Sequence, residues 1–201
     1  MMSHYFEDNK HTKSNRKEFS FRFWCFDSTF ISDHGVFSKD GLDVGTKVLL
    51  ESIENEEFKG DILDLGCGLG TVGILFKKRY PQTRVTMVDV NDRALELAKE
   101  NAQKNQVDVE TLKSDGFDSL HERRFESIIT NPPIRAGKQV VYKLLADSYA
   151  HLVDDGCLYF VMRKSHGAKS AQKYVESIFG NCQLLAKDKG FYVYKSSKKL
   201  K

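Results

Sequence analysis

From residue 60 onward, short apolar runs alternate with stretches of helical periodicity, and no other feature of the chain restricts its fold as strongly. DILDLG (61–66) is a strand-length run, residues 70–80 follow with helical character, and Pro81 closes them. RVTMVDV (84–90) reads as the next strand. NDRALELAKENAQKNQ (91–106) sets Ala94, Leu95, Leu97, Ala98 and Ala102 at near-helical spacing, with Asn91 or Asp92 placed to cap. VETLKSD (109–115), FESIIT (125–130) and CLYFVMR (157–163) continue the strands, with helices expected at 137–153 and about 167–179. Such alternation builds a parallel sheet covered by helices on both faces. The last two runs, Cys182–Lys187 and Phe191–Lys195, lie too close together for a parallel crossover and must form a hairpin. The expected fold is α/β, a doubly wound, seven-stranded, mostly parallel sheet with a C-terminal antiparallel hairpin.

Ahead of this pattern, KEFSFRFWCFDSTFIS (17–32) alternates Phe19, Phe21 and Phe23 and continues with Trp24, Phe26, Phe30 and Ile31. Asp27-Ser28 lies between two β-prone runs, which predicts a small N-terminal β-hairpin turning there. Its aromatic strip is either the buried face of that hairpin or a surface for stacking on bases.

The four cysteines are widely separated, with no CxxC pair and no Cys/His cluster at zinc spacing, so no metal is expected. The polar start lacks the apolar core of a signal peptide, and no apolar run reaches membrane-spanning length. A cytoplasmic monomer, away from membranes, is the expectation. Charge is unevenly spread. Residues 161–201 hold ten Lys/Arg against Glu176 and Asp188, a net of +8; the whole chain carries +3, so residues 1–160 carry −5. A basic end on a mildly acidic body suits contact with a phosphate backbone, although SSKKLK by itself reads as a solubilising tail.

The chemistry concentrates where strands end. DLGCGLGTVG (64–73) contains a GxGxxG match in Gly68, Gly70 and Gly73, between a strand and a helix. Asp89 ends the second strand, 19 residues after Gly70, where a carboxylate accepts both ribose hydroxyls of an adenosine nucleoside. Asp64, two residues before Gly66, repels a pyrophosphate but suits a free α-ammonium; S-adenosylmethionine carries that group and no phosphate. A purely structural glycine turn and a nicotinamide-dependent oxidoreductase are the rivals. Asp115, in KSDGFDSL, is placed to accept from the adenine amine with Phe117 packing on the ring; a plain DG turn is the alternative. TNPPIRAGK (130–138) ends the next strand. There the Asn131 carboxamide oxygen and the Pro132 carbonyl, stiffened by Pro133, accept both hydrogens of a planar amino group and direct its lone pair at an activated methyl.

In this order, DLGCGLG, VDVN, SDGF and NPP resemble the class I S-adenosylmethionine-dependent methyltransferases that modify amino groups. HGVFSKDGLDVGTKVLL (34–50) and NPPIRAGK are similar to the small-subunit ribosomal RNA guanine-N2 methyltransferase family, over roughly residues 15–197. The resemblance implies a Rossmann-like class I domain over 36–201 behind an N-terminal extension, 1–35. It implies S-adenosylmethionine contacts from Asp64, Gly66, Gly68, Gly70, Asp89, Asp115, Phe117 and Asn131. The entry segment should fold over the cofactor through Phe37, Gly41, Asp43, Gly45 and Thr46, its glycines letting a short helix begin close by. Asn131, Pro132 and Pro133 are the implied catalytic set, and Ile134 and Arg135 the substrate contacts. Better-known bacterial members carry a second, degenerate domain in front, so the expectation here is a single-domain form. Many NPP enzymes also place an aromatic residue where this chain has Ile134. The expected activity is methyl transfer to guanine N2 of rRNA, free or in the assembled small subunit. Adenine N6, a protein glutamine amide and a non-catalytic RNA-binding role are the alternatives.

Overall fold

The computed structural model describes residues 14–34 and 41–199. A two-stranded antiparallel unit, β1 (Lys17–Phe23) and β2 (Phe26–Ser32), comes first. Helix α1 (Val44–Ser52) leads into the alternating region. This runs β3 (Asp61–Leu65), α2 (Thr71–Arg79), β4 (Arg84–Asp89), α3 (Asp92–Lys104), β5 (Glu110–Lys113), β6 (Phe125–Thr130), α4 (Lys138–Asp147), β7 (Leu152–Arg163), α5 (Ala168–Phe179), β8 (Gln183–Asp188) and β9 (Phe191–Ser197).

The seven strands of the main sheet lie in the order β5-β4-β3-β6-β7-β9-β8, with β9 antiparallel to both neighbours. The expected doubly wound sheet and closing hairpin are both present. One core cluster joins α1, α2 and α3 to one face of the sheet; a second joins α4 and α5 to the other. The strand order reverses between β3 and β6, so their carboxyl ends open a crevice of the kind in which α/β sheets bind ligands. Thr130, fully buried, donates its hydroxyl to the Leu65 carbonyl at 2.8 Å and clips the two strand ends together.

The hairpin departs from expectation in its turn. Phe23 pairs with Phe26, so the turn is Trp24-Cys25, with φ 47° and 68°, while Asp27 and Ser28 belong to β2. Two left-handed residues make the twist a tight hairpin needs, though neither side chain favours that conformation. Long-range packing supplies the difference. The Trp24 ring meets Phe76 at 5.8 Å, and the Arg79 guanidinium lies 4.8 Å from its centroid. Phe19 and Phe21 stack on the fully buried Phe30 at 6.0 and 5.4 Å, so the aromatic strip is a packing face. Asn101, also fully buried, completes the join: its amide bonds the Ile31 N–H and C=O and reaches the Leu69 carbonyl in the glycine loop.

Two boundaries also moved. Helix α4 stops at Asp147, and β7 begins at Leu152, well before Cys157. Pairing of Leu152 with Phe125 across a register shift in β6 draws the chain into the sheet early. Among the described residues, no helix is long and apolar enough to cross a membrane.

Candidate active site

The loop from β3 to α2 is held in place by carboxylates. Asp64 is buried and its Oδ2 accepts from the Gly73 amide at 2.9 Å. Asp89 Oδ2 accepts from the Gly68 amide and Oδ1 from the Asn91 amide, both at 2.9 Å. Gly66 and Gly68 take left-handed φ values of 74° and 55°, and a Cβ on either would meet nothing within 4 Å. Their bare backbone therefore faces an open cradle and is not pressed against protein. Gly70 differs: its φ is 86°, but a Cβ there would lie 3.1 Å from Ala98 Cβ. Close approach of α3 explains why this position is glycine.

Burial pushes the Asp64 carboxyl up to about 7, with the Gly73 amide opposing the shift and the Asp89 charge adding to it. Burial also raises Asp89, against the amides of Asn91, Gly68 and Val90. A diphosphate in this cradle would meet two carboxylates, whereas a cationic ligand would relieve both. The donor set thus fits S-adenosylmethionine, with Asp64 suited to the ammonium and Asp89 to the ribose.

Asp115 is exposed at the end of β5, where it can reach a ligand edge. Phe117, expected as a platform for adenine, is engaged elsewhere in this structure. It is 5% exposed, belongs to the core with Leu120 and Phe125, and lies flat on His151 at a centroid distance of 4.4 Å.

Across the crevice, Asn131 follows β6, with Pro132 buried and Pro133 leading into a single 3-10 turn, Ile134–Ala136. The Ala136 and Gly137 amides occupy the Pro133 and Ile134 carbonyls at 2.9 and 3.1 Å, leaving the Pro132 carbonyl outside that turn. Ile134 is half-buried and packs on the core beneath, while Arg135 is exposed.

The entry segment contributes what the sequence did not reveal. Asp43 caps α1, its Oδ2 accepting from the Thr46 amide at 2.8 Å. The same oxygen accepts from Asn131 Nδ2 at 3.0 Å, and Thr46 Oγ1 accepts from that nitrogen at 3.1 Å. A carboxylate only accepts, so it settles which end of the carboxamide is the NH2 group. Asn131 is thereby latched with Oδ1 turned away from α1. Asp43 was legible as a helix cap, an aspartate three residues ahead of a helical threonine, but nothing local connects it to a residue 88 positions on. Two further entry-segment residues have roles within the protein. Thr46 holds Asn131, and Gly45 lets α1 approach β9, since a Cβ there would lie 2.9 Å from the Phe191 ring. Phe37 lies outside the described residues.

The model of the methyltransferase small domain matches residues 27–195. The uncharacterized protein YbxB of Bacillus subtilis is 42% identical over 200 residues, 98% of this chain and 100% of its own length. The ribosomal RNA small subunit methyltransferase C of Haemophilus influenzae is 39% identical over 173 residues, 83% of this chain and 50% of its own. The chain thus spans about half the length of those methyltransferases. The T. thermophilus 16S rRNA N2 methyltransferase RsmC, solved with AdoMet and guanosine, superposes with a TM-score of 0.84 at 26% identity, over 92% of this chain and 51% of that one. A ribosomal protein L11 methylase of Lactobacillus delbrueckii shares the fold, with a TM-score of 0.66 at 20% identity over 78% of this chain and 79% of its own.

Proposed function

The chain belongs to the methyltransferase small-domain family of S-adenosylmethionine-dependent enzymes, and we propose that it methylates the exocyclic N2 of a guanine in small-subunit rRNA. The observation that carries this reading is the Asn131 carboxamide, whose nitrogen is latched to Asp43 and Thr46 so that its oxygen is the end left to accept. Relatives named for small-subunit rRNA, and a neighbour solved with guanosine, support guanine over adenine N6 or a glutamine amide.

Asp64 receives the ammonium of the cofactor, Asp89 its ribose hydroxyls and Asp115 its adenine edge, while Gly66 and Gly68 form the floor. When bound, the cofactor supplies a methyl group on positively charged sulfur. Asn131 Oδ1 and the Pro132 carbonyl accept the two hydrogens of the guanine amine, whose lone pair is otherwise delocalised into the ring. Held this way, the nitrogen becomes pyramidal and its lone pair turns towards the methyl. Positioning and fixed dipoles do the work: the N–CH3 bond would form as the S–CH3 bond breaks to leave a neutral thioether, and the cationic nitrogen would then give up its acidic proton to water, so no strong base is needed. Ile134 packs against the base and Arg135 against its backbone.

The Asp64 assignment carries a pH signature. In the free protein burial pushes its carboxyl up to about 7, well above the ordinary carboxylate range. A carboxyl raised by folding stabilises the fold while protonated, so that stability is lost as pH rises from about 4 through 7. Cofactor binding needs the ionised form, so affinity should rise about tenfold between pH 5.5 and 7. Calorimetry across that range should show this rise in the native protein and a weaker affinity with a shallower pH dependence in Asp64→Asn, where Asp89 remains. An equal slope in both would remove Asp64 from the ammonium site.

Mass mapping of small-subunit rRNA nucleosides, from cells with and without the gene, tests the activity. One N2-methylguanosine should disappear with the gene. Loss of N6-methyladenosine or of a methylated glutamine instead would reassign the substrate.

A further inference from the structure

The fold spends some charges of the basic segment on internal contacts and leaves others at the rim of the sheet. Lys195 pairs with Glu56 beside the Tyr159 ring, and Lys198 donates to the Leu152 carbonyl at 2.8 Å, at the start of β7. Both are committed to the protein, Lys195 in mid-sheet level with Tyr159 and Lys198 at the end remote from Asn131. The other group stands at the carboxyl ends. Arg163 closes β7, Lys189 forms the turn between β8 and β9, and the Lys164 amide donates to the Gly190 carbonyl at 2.8 Å, tying the two loops together. With Ser165, these residues line an open cleft.

We propose that Arg163, Lys164 and Lys189 grip the RNA phosphates that flank the target base. The proposal rests on the rRNA reading above. Three observations carry it. Thr130 is level with Phe160 across the β6–β7 pair, so Arg163 stands one strand over and two residues beyond Asn131. That is roughly 8 Å between backbones at ordinary sheet spacings. A nucleotide with its base amine at Asn131 holds its neighbouring phosphates at a like distance. Second, direct contacts connect the two positions. The Arg163 guanidinium lies 5.0 Å over the Phe191 ring, that ring abuts Gly45, and Gly45 adjoins the threonine holding Asn131. Third, Arg163, Lys164 and Lys189 are all exposed. Stacking on Phe191 keeps the planar head of Arg163 pre-organised for a phosphate. The acid beside them, Asp188, is 3.9 Å from the Lys189 ammonium and exposed, which leaves the group net positive.

The test is the salt dependence of binding to a 16S rRNA transcript, compared between two triple variants. Arg163→Gln/Lys164→Gln/Lys189→Gln removes the rim charges; Lys59→Gln/Lys99→Gln/Lys199→Gln removes three exposed charges elsewhere. The rim variant should lose about 2–3 from the slope of log affinity against log salt, and on the order of 100-fold in affinity at 0.1 M salt. The control variant should keep the native slope, and all three proteins should bind S-adenosylmethionine equally. Equal slopes for the two variants would overturn the phosphate grip alone. A native protein with no salt-dependent affinity for the transcript, or one that methylates a protein instead, would overturn the rRNA reading beneath it.

Discussion

Asn131→Ala is expected to lower kcat by at least about 10²–10³-fold, the cost typical of removing one pre-organised polar group from a transition-state site. Affinity for S-adenosylmethionine should change little, because the cradle of Gly66, Gly68, Asp64 and Asp89 lies across the crevice. The large effect follows from what the amide does: it rehybridises a nitrogen whose lone pair is otherwise unavailable, which matters only as the methyl moves. Asn131→Asp sharpens the test. It keeps the outward oxygen but replaces the inward NH2 with a second carboxylate oxygen against Asp43, and repulsion between the two acids should displace it. Both variants should therefore be nearly inactive in single-turnover methyl transfer with normal cofactor binding. A variant with raised KM for the cofactor and intact kcat would show that Asn131 binds and does not orient.

Asp43→Ala should be the next most damaging change, lowering kcat by about 10²-fold through loss of orientation at a residue 88 positions away. It also removes the cap of α1, at a cost of about 1 kcal/mol in stability. The two effects are separable. Asp43→Ser restores a helix cap but is too short to hold Asn131, so it should melt like the native protein and remain slow. Asp43→Asn keeps an acceptor at full reach and should recover much of the rate. Thr46→Val leaves the Asp43 contact in place and should cost less than Asp43→Ala. If Asp43→Ser recovered full activity along with stability, the carboxylate would be only a cap.

The sheet was legible because its evidence is local and repeated. Apolar runs of five or six residues, helical spacing such as Ala94-Leu97-Ala98, and the short link around Gly190 each constrain a few neighbouring residues. Parallel strands also bring their carboxyl ends to one edge, so acids closing DILDL and RVTMVD had to converge with the NPP turn. The open backbone at Gly66 and Gly68 lies at that same edge. The reasons for Gly70 and Gly45 were not legible, because each is glycine on account of a distant neighbour, Ala98 or Phe191. The hairpin turn was misplaced on Asp27-Ser28 because propensity favours it there, and packing of Trp24 on α2 overrode that preference.

What the sequence determined by itself was the fold class, the row of strand-end acids and the chemical type of the site, all consequences of periodicity and of sterics within a few residues. Tertiary structure alone decided which way the Asn131 carboxamide points and which lysines are spent on internal contacts. The reason is directional. A count of charges or a match to NPP carries no orientation, and Asp43, Asn131 and Arg163 acquire one only when sheet order brings α1, β6 and β7 together.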